Sequence, residues 1–173
     1  IGNQIQGNTV NHLNSNGDAV GGIAIRSTSG TLNLSQNVII ENTASGSSSS
    51  FGGSGGIYLY DGNVSINNNT IAHNIAGTHC QTSGLYIGAS TDSVSISNNL
   101  ISGHIAMTQA DSRAIEVAQS STVFSNNSIL ANNTEYDIYS GFGSSQTLTA
   151  ESNYWGTTDD AAIQVKIYDL FDN

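Results

Sequence analysis

The chain has 173 residues, of which 37% are hydrophobic, only 9% are charged, 19 are Gly and none is Pro. This apolar content is enough to fill one continuous core, so we expect a single domain, and no apolar run is long enough to cross a membrane. Thirteen acidic residues face only Arg26, Arg113 and Lys166, for a formal net charge of −10. Such a surface repels phosphate backbones, which excludes nucleic acid as a partner.

One short sequence frame recurs along the whole chain with an asparagine at its centre. Its copies are IQGNTV, LSQNVI, INNNTI, ISNNLI, FSNNSI and AESNYW, and the shared residues are Asn8, Asn37, Asn69, Asn99, Asn127 and Asn153. The intervals between these asparagines are 29, 32, 30, 28 and 26 residues. A period of this length is typical of a solenoid in which each repeat forms one coil.

Each repeat contains two segments with the alternating apolar pattern of a β-strand. One segment opens the repeat, as at Ile57 and Leu59, and the other precedes the asparagine, as at Val64 and Ile66. No repeat shows a helical period. The pattern therefore predicts an all-β parallel β-helix of about five to six coils, in which equivalent strands of successive coils pair in parallel.

The six asparagines have a mechanical interpretation in such a fold. The chain must bend sharply between two strands, and asparagine tolerates the left-handed backbone region better than other non-glycine residues. Amides stacked at the strand spacing also donate to and accept from the coils above and below. We therefore predict a structural ladder without a catalytic role.

The last coil is expected to differ from the others because it must cover the end of the core. Trp155 is predicted to plug that end, and Thr158 or Asp159 to cap a short helix with Ala162, Ile163 and Ile167 on one face. Residues 1–152 then form the coils and residues 153–173 the terminal coil and cap of a single domain, 1–173. Ile1 enters the first coil without a capping segment, so we expect missing upstream sequence or another subunit to cover that coil.

These features resemble a known family. The segments IYLYDGNVSINNNTIAHN and SVSISNNLIS are similar to the right-handed parallel β-helix, or pectate-lyase-like, fold. The ending NYWGTTDDAAIQVKIYDLFD is similar to the close of secreted bacterial β-helix repeat proteins, although Asp159-Asp160 replaces the usual Asp-Pro. The resemblance implies a right-handed coil and a secreted or cell-surface location. It does not select a function, because this fold serves lyases, hydrolases, epimerases, adhesins and phage fibres.

The outward positions of the first strand in each coil are predicted to stack into two columns. These columns are Ala24, Tyr58, Tyr86, Glu116 and Asp137, and Arg26, Tyr60, Gly88, Ala118 and Tyr139. The tyrosines Tyr58, Tyr60, Tyr86 and Tyr139 would form a face for a saccharide, since tyrosine rings can stack on sugar rings. The alternative is that they only stabilise the sheet through cross-strand aromatic pairs.

Candidate catalytic groups lie in the same columns. Glu116 and Asp137 on adjacent coils would be separated by about the strand spacing of 4.8 Å, near the spacing of a retaining glycosidase pair. A lyase would need a base and an anion-neutralising group, for which Arg113 is the best-placed basic residue.

The histidines and the single cysteine suggest no cofactor. His73 and His104 occupy near-equivalent positions in adjacent coils, but a zinc site would need Cys80 or His79 as a third ligand. We predict no metal site and no cofactor. Cys80 is interpreted as a loop thiol, either free or linked to another molecule.

Two functional classes remain open. The first is an extracellular non-catalytic module: an adhesin, a stalk, or a filament or surface-layer subunit that stacks through its amino-terminal coil. The second is a polysaccharide-active lyase or hydrolase, or its carbohydrate-binding part. The first is favoured because few residues are charged and no column brings three complementary groups together.

Overall fold

The computed structural model describes residues 1–11, 18–46, 53–90, 93–107, 111–118, 121–141 and 148–168. These residues form the predicted all-β parallel β-helix with stacked coils and one short helix near the carboxyl end. Nowhere in these ranges is a helix long and apolar enough to span a membrane. In chain order the elements are β1 (Gln4–Gln6), β2 (Thr9–Asn11), β3 (Ala19–Val20), β4 (Ile23–Ser35), β5 (Val38–Ile40), β6 (Thr43–Ser45), β7 (Gly53–Ser54), β8 (Ile57–Asn67), β9 (Thr70–Ala72), β10 (Ile75–Ala76), β11 (Thr82–Ser90), β12 (Val94–Ser97), β13 (Leu100–Ser102), β14 (Ile105–Ala106), β15 (Arg113–Val117), β16 (Thr122–Ser125), β17 (Ser128–Leu130), β18 (Tyr136–Ser140), α1 (Asp160–Gln164) and β19 (Ile167–Tyr168).

The strands assemble into three parallel sheets that run along the solenoid. Sheet A has the order β1-β5-β9-β13-β17, and sheet B has the order β14-β10-β6-β2. Sheet C has 10 strands, with the main path β16-β12-β8-β11-β15-β18-β19. Sheet B takes one strand from each of four coils, so the solenoid has about four full turns with partial coils at its ends, close to the prediction.

Sheet C covers two sides of each coil because its longest strands turn a corner. The first part of β8 pairs with β11, where Ile57 lies opposite Leu85, and the last part pairs with β12, where Ile66 lies opposite Ile96. The half that contains β11, β15, β18 and β19 carries the face described below.

Alternating side chains build the core, as the period of two requires. In sheet A the middle residue of each strand points inward, and Ile39, Ile71, Ile101 and Ile129 are completely buried. Burial of such a side chain stabilises the fold by about 1.5–3 kcal/mol. A smaller cluster of Ala19, Ala44, Ala76, Cys80 and Ala106 lies beneath sheet B. Cys80 is a free cysteine in the loop between β10 and β11, and only 1% of it is exposed.

The asparagines form two columns, and this corrects one predicted register. The main column consists of Asn3, Asn37, Asn69, Asn99, Asn127 and Asn153, linked amide to amide. Asn8 does not belong to it, because Gln4 pairs with Val38 and Asn8 donates to Asn42. Asn8 instead begins a second column, five residues further along each coil, which continues through Asn42 and Asn74.

The left-handed residue at each bend is the one before the column asparagine. Gln36, Asn68 and Asn98 have φ values of 58°, 55° and 57° and precede members of the main column. Glu41, His73 and Ala131, with φ values of 58°, 52° and 57°, do the same for the second column. The sequence interpretation assigned bending and hydrogen bonding to one asparagine, whereas two adjacent residues share these tasks.

The terminal segment contains the predicted short helix, but the helix does not bury the predicted apolar face. The Asp159 side chain caps α1 by accepting hydrogen bonds from the Ala161 and Ala162 N–H groups. None of the helix residues is buried, and Ile167 lies in β19, which pairs with β18, rather than on the helix. Trp155 packs against the main core.

Candidate binding face

The outward side of β8, β11, β15, β18 and β19 carries a dense group of tyrosines, which we call the tyrosine face. Its central column pairs Tyr58 with Tyr86, Tyr86 with Glu116, Glu116 with Tyr139, and Tyr139 with Tyr168. Tyr60 and Tyr136 flank this column, so six of the seven tyrosines of the chain lie on one side.

The register separates two residues that the sequence placed together. Glu116 lies opposite Tyr139, not opposite Asp137. Asp137 is only 6% exposed and accepts a hydrogen bond from Asn132 Nδ2 at 2.9 Å. Burial raises the pKa of the Asp137 carboxyl, which Asn132 and Lys166 partly offset. The predicted glycosidase pair of Glu116 and Asp137 on one column is therefore wrong.

The rings of the central column stack on each other along the solenoid axis. The Tyr58 and Tyr86 centroids are 4.3 Å apart with planes 21° apart, and those of Tyr139 and Tyr168 are 4.6 Å and 6° apart. Side chains on a sheet stand perpendicular to it, so these rings turn their faces to one another. Tyr86, Tyr139 and Tyr168 are half-buried, whereas Tyr58 is only 6% exposed and contributes little surface to the face. A ligand on this side would meet hydroxyl groups and ring edges rather than open ring faces.

An ion pair interrupts the tyrosines at the centre of the column. Arg113 Nε lies 3.1 Å from Glu116 Oε2, and both side chains are largely buried. Glu116 also accepts a hydrogen bond from Thr82 Oγ1 at 2.7 Å, and Arg113 donates to Gln81. The Arg113 guanidinium lies 4.1 Å from the Tyr139 ring centroid, a distance suited to a cation–π contact.

A second arginine covers the flanking ring at the amino-terminal end of the face. Arg26 lies 3.9 Å from the Tyr60 ring centroid, and Tyr60 packs against Tyr58 at 4.3 Å. Burial raises the pKa of Tyr58 far above its usual value, and Tyr86 and Asp18 reinforce this. Burial also raises the pKa values of Tyr60 and Tyr86. These hydroxyls remain protonated donors at all ordinary pH values.

The basic residues of the chain gather at this side. Arg26 and Arg113 cover tyrosine rings of the face, and Lys166 donates from Nζ to the Thr134 carbonyl beside it at 2.8 Å. The chain has no other Lys or Arg and a net charge of −10. Acidic groups lie here as well, since Glu116 is in the central column, Asp18 interacts with Tyr58, and Glu135 interacts with Tyr136, so the face combines both signs of charge.

His73 and His104 interact across adjacent coils, but no third ligand joins them within the part of the chain that the structure describes. His73 is exposed at its bend, His104 is buried in the second asparagine column, and Cys80 is enclosed by alanines. Within the described ranges, no three His, Cys, Asp or Glu side chains form a group that could hold a metal ion.

Sequence reasoning missed Tyr136, Tyr168, Gln81 and Thr82 as members of this face. A signal for Tyr168 was present, because five face tyrosines follow a buried or half-buried Ile or Leu: Ile57-Tyr58, Leu59-Tyr60, Leu85-Tyr86, Ile138-Tyr139 and Ile167-Tyr168. Alignment of Ile138-Tyr139 with the equivalent pair Ile115-Glu116 would also have placed Tyr139 opposite Glu116. No comparable pattern marks Gln81 or Thr82.

Comparison with known proteins identifies no relative: no family model, no curated protein and no solved structure matches this chain. The functional argument therefore depends on the geometry of the chain itself.

Proposed function

We propose that this chain is a non-catalytic extracellular adhesive module whose tyrosine face binds a saccharide. The β-helix serves as a rigid support that holds the outward hydroxyl groups at the regular strand spacing of about 4.8 Å. A secreted location and a pectate-lyase-like right-handed coil belong to the same proposal, on the basis of the sequence resemblance.

The observation that carries the proposal is that the charged groups of the face are engaged with each other. Glu116 is held by Arg113 and Thr82, and Asp137 is buried on a different column. A glycosidase requires two carboxyl groups that flank one bond, and these two do not face a common point. The tyrosine hydroxyls, in contrast, stand at the outer end of stacked rings and suit hydrogen bonding to sugar hydroxyls.

The test removes hydroxyl groups without disturbing the stacked rings. We expect the parent chain to be retained on a polysaccharide array and the double variant Tyr86→Phe/Tyr139→Phe to lose affinity about tenfold or more, since each hydrogen bond contributes about 0.5–1.5 kcal/mol. Tyr154→Phe is the matched control, because Tyr154 is 52% exposed and bridges to Ser128 outside the face. Because the Tyr86 hydroxyl also hydrogen-bonds Tyr58, retention is compared at a temperature at which melting curves show every variant to be folded. Absence of glycan retention by the parent, or equal loss in Tyr154→Phe, would overturn the proposal.

The second candidate is a polysaccharide-active enzyme. The observation in its favour is the Glu116–Arg113 pair between the two stacked tyrosine pairs, because it places an acid and a cation in the middle of the face. Incubation of the parent with a polysaccharide panel should yield no cleavage products. Cleavage that disappears in Glu116→Gln would replace the adhesive function with this one.

A further inference from the structure

The second asparagine column contains one exception, the histidine of the fourth coil. The column runs from Asn8 through Asn42 and Asn74 to His104 and Asn132. At a regular position, the Asn74 Oδ1 atom accepts both the backbone N–H and the Nδ2 group of Asn42, each at 3.0 Å. The Asn42 and Asn74 amides also donate to a carbonyl of the preceding coil, at Ile5 and Ile39, at 3.1 and 3.0 Å.

His104 reproduces only part of this pattern. Its Nδ1 atom accepts the Asn74 backbone N–H at 3.2 Å, and its own backbone N–H donates to Asn132 Oδ1 at 3.1 Å. Its Nε2 atom is buried and has no hydrogen bond of regular geometry; the Ile71 backbone of the preceding coil is its neighbour, in place of the carbonyl that the Asn42 and Asn74 amides reach. Because Nδ1 acts as an acceptor, the ring is neutral and carries its proton on Nε2.

The packing around the ring leaves no room for adjustment. His104 is 0% exposed, and a Cβ atom on Gly84 would lie only 2.7 Å from its Nε2 atom. His73 of the preceding coil interacts electrostatically with His104, and its charge would repel a charged His104 ring. The Asp137 carboxylate of β18 accepts a hydrogen bond from Asn132, the column residue that follows His104.

We propose that His104 is an acid-sensitive element of the fold: protonation of its ring breaks the second asparagine column and opens the coils that follow it. The protonated ring would direct an N–H group at the Asn74 N–H, which turns an acceptor into a second donor at that position. It would also place an uncompensated charge in a dry, close-packed site.

The direction of the pH effect follows from linkage. Burial lowers the pKa of His104 from 6.5 to about 4. Between these values the unfolded chain binds a proton that the folded chain does not, so stability is full above pH 6.5 and falls as the pH approaches 4. The shift corresponds to a loss of about two orders of magnitude in the folding equilibrium constant. Asp137 acts in the opposite direction, because a carboxyl with a raised pKa stabilises the fold at low pH.

The experiment compares urea unfolding of the parent chain, His104→Asn and His73→Gln at pH 7.5 and 4.5. We expect acidification to increase the unfolding constant of the parent about a hundredfold more than that of His104→Asn, in which the amide column is continuous. His73→Gln, which removes the exposed histidine, should keep most of the acid sensitivity of the parent, because the repulsion from His73 is a smaller cause of the His104 shift than burial. Equal pH dependence of the parent and His104→Asn would overturn the proposal.

A second measurement does not depend on whether His104→Asn folds. In the parent chain, the imidazole NMR signals of His104 should stay at their neutral positions down to about pH 5 and change only when the chain unfolds. A His104 signal that titrates with a midpoint near 6.5 in the folded chain would contradict the proposal. Neither measurement involves a glycan, so the outcome is separate from that of the proposed function.

Discussion

At the scale of single residues, each bend of this β-helix divides its requirements between two neighbours. The first residue adopts the left-handed conformation, and residues as different as Gln36, Glu41 and Ala131 occupy this position. The second residue provides the amide that satisfies backbone groups buried by the bend: Asn99 Nδ2, for example, donates to the Ile66 and Ser97 carbonyls at 2.9 and 3.0 Å. The first residue of the bend can therefore carry many different side chains, whereas the second must carry a short side chain that both donates and accepts hydrogen bonds.

Asn99→Ala should therefore reduce stability by about 1–3 kcal/mol, because it removes the acceptor of the buried Asn69 backbone N–H and a donor to the Ile66 carbonyl. Chemical denaturation at pH 7 measures the change. Asn33→Ala is the control: Asn33 is exposed and its Oδ1 atom accepts one exposed hydrogen bond, so its loss should stay within about 0.5 kcal/mol. Equal stability of Asn99→Ala and the parent would show that the main column does not support the fold.

At the scale of elements, successive coils approach so closely that some positions exclude a side chain. A Cβ atom on Gly55 would lie 2.6 Å from the Ile75 carbonyl oxygen and 2.7 Å from that of Ser83.

The coils also shorten regularly, since main-column asparagines are separated by 34, 32, 30, 28 and 26 residues. Sheets A and B stay in register through this change, so the shortening occurs in the remaining parts of each coil.

Gly55→Ala should destabilise the chain by about 3 kcal/mol or more, because backbone atoms of two coils must move apart. The matched control is Gly141→Ala, where the nearest atom would lie at 3.6 Å, an ordinary contact. Thermal melting of both variants measures the difference. A Gly55→Ala variant that melts together with Gly141→Ala would contradict the close packing of these coils.

At the scale of the whole molecule, the buried side chains form two separate clusters. The main core of branched aliphatic residues fills the coils, and the small alanine cluster beneath sheet B encloses Cys80. Burial raises the pKa of the Cys80 thiol to about 11. Both the low fraction of thiolate and the closed packing protect this sulfur in the folded chain.

Cys80 should consequently react with a thiol reagent at pH 8 only when the chain opens, with a rate that follows global unfolding. Ser95→Cys, which places a thiol on the exposed position of β12, should show one fast and one slow reaction. The urea-unfolded chain should react completely and quickly. Rapid modification of Cys80 in the native parent would show that the alanine cluster opens independently of the core.

Local sequence determined the repeat, the strand pattern and the parallel β-helix, because the alternation of apolar residues and the regular asparagines are properties of each coil by itself. The same reasoning misplaced Asn8 and paired Asp137 with Glu116. Both errors concern register: Asn8-Thr9-Val10 resembles Asn69-Thr70-Ile71, yet the two segments belong to different bends of the coil. Only the tertiary structure selects between such similar frames, because register is decided by which side chains of adjacent coils stack and which backbone groups find partners. For the same reason the stacked tyrosine pairs, the Arg113–Glu116 contact and the burial of His104 and Cys80 are properties of the assembled coils and not of any single repeat.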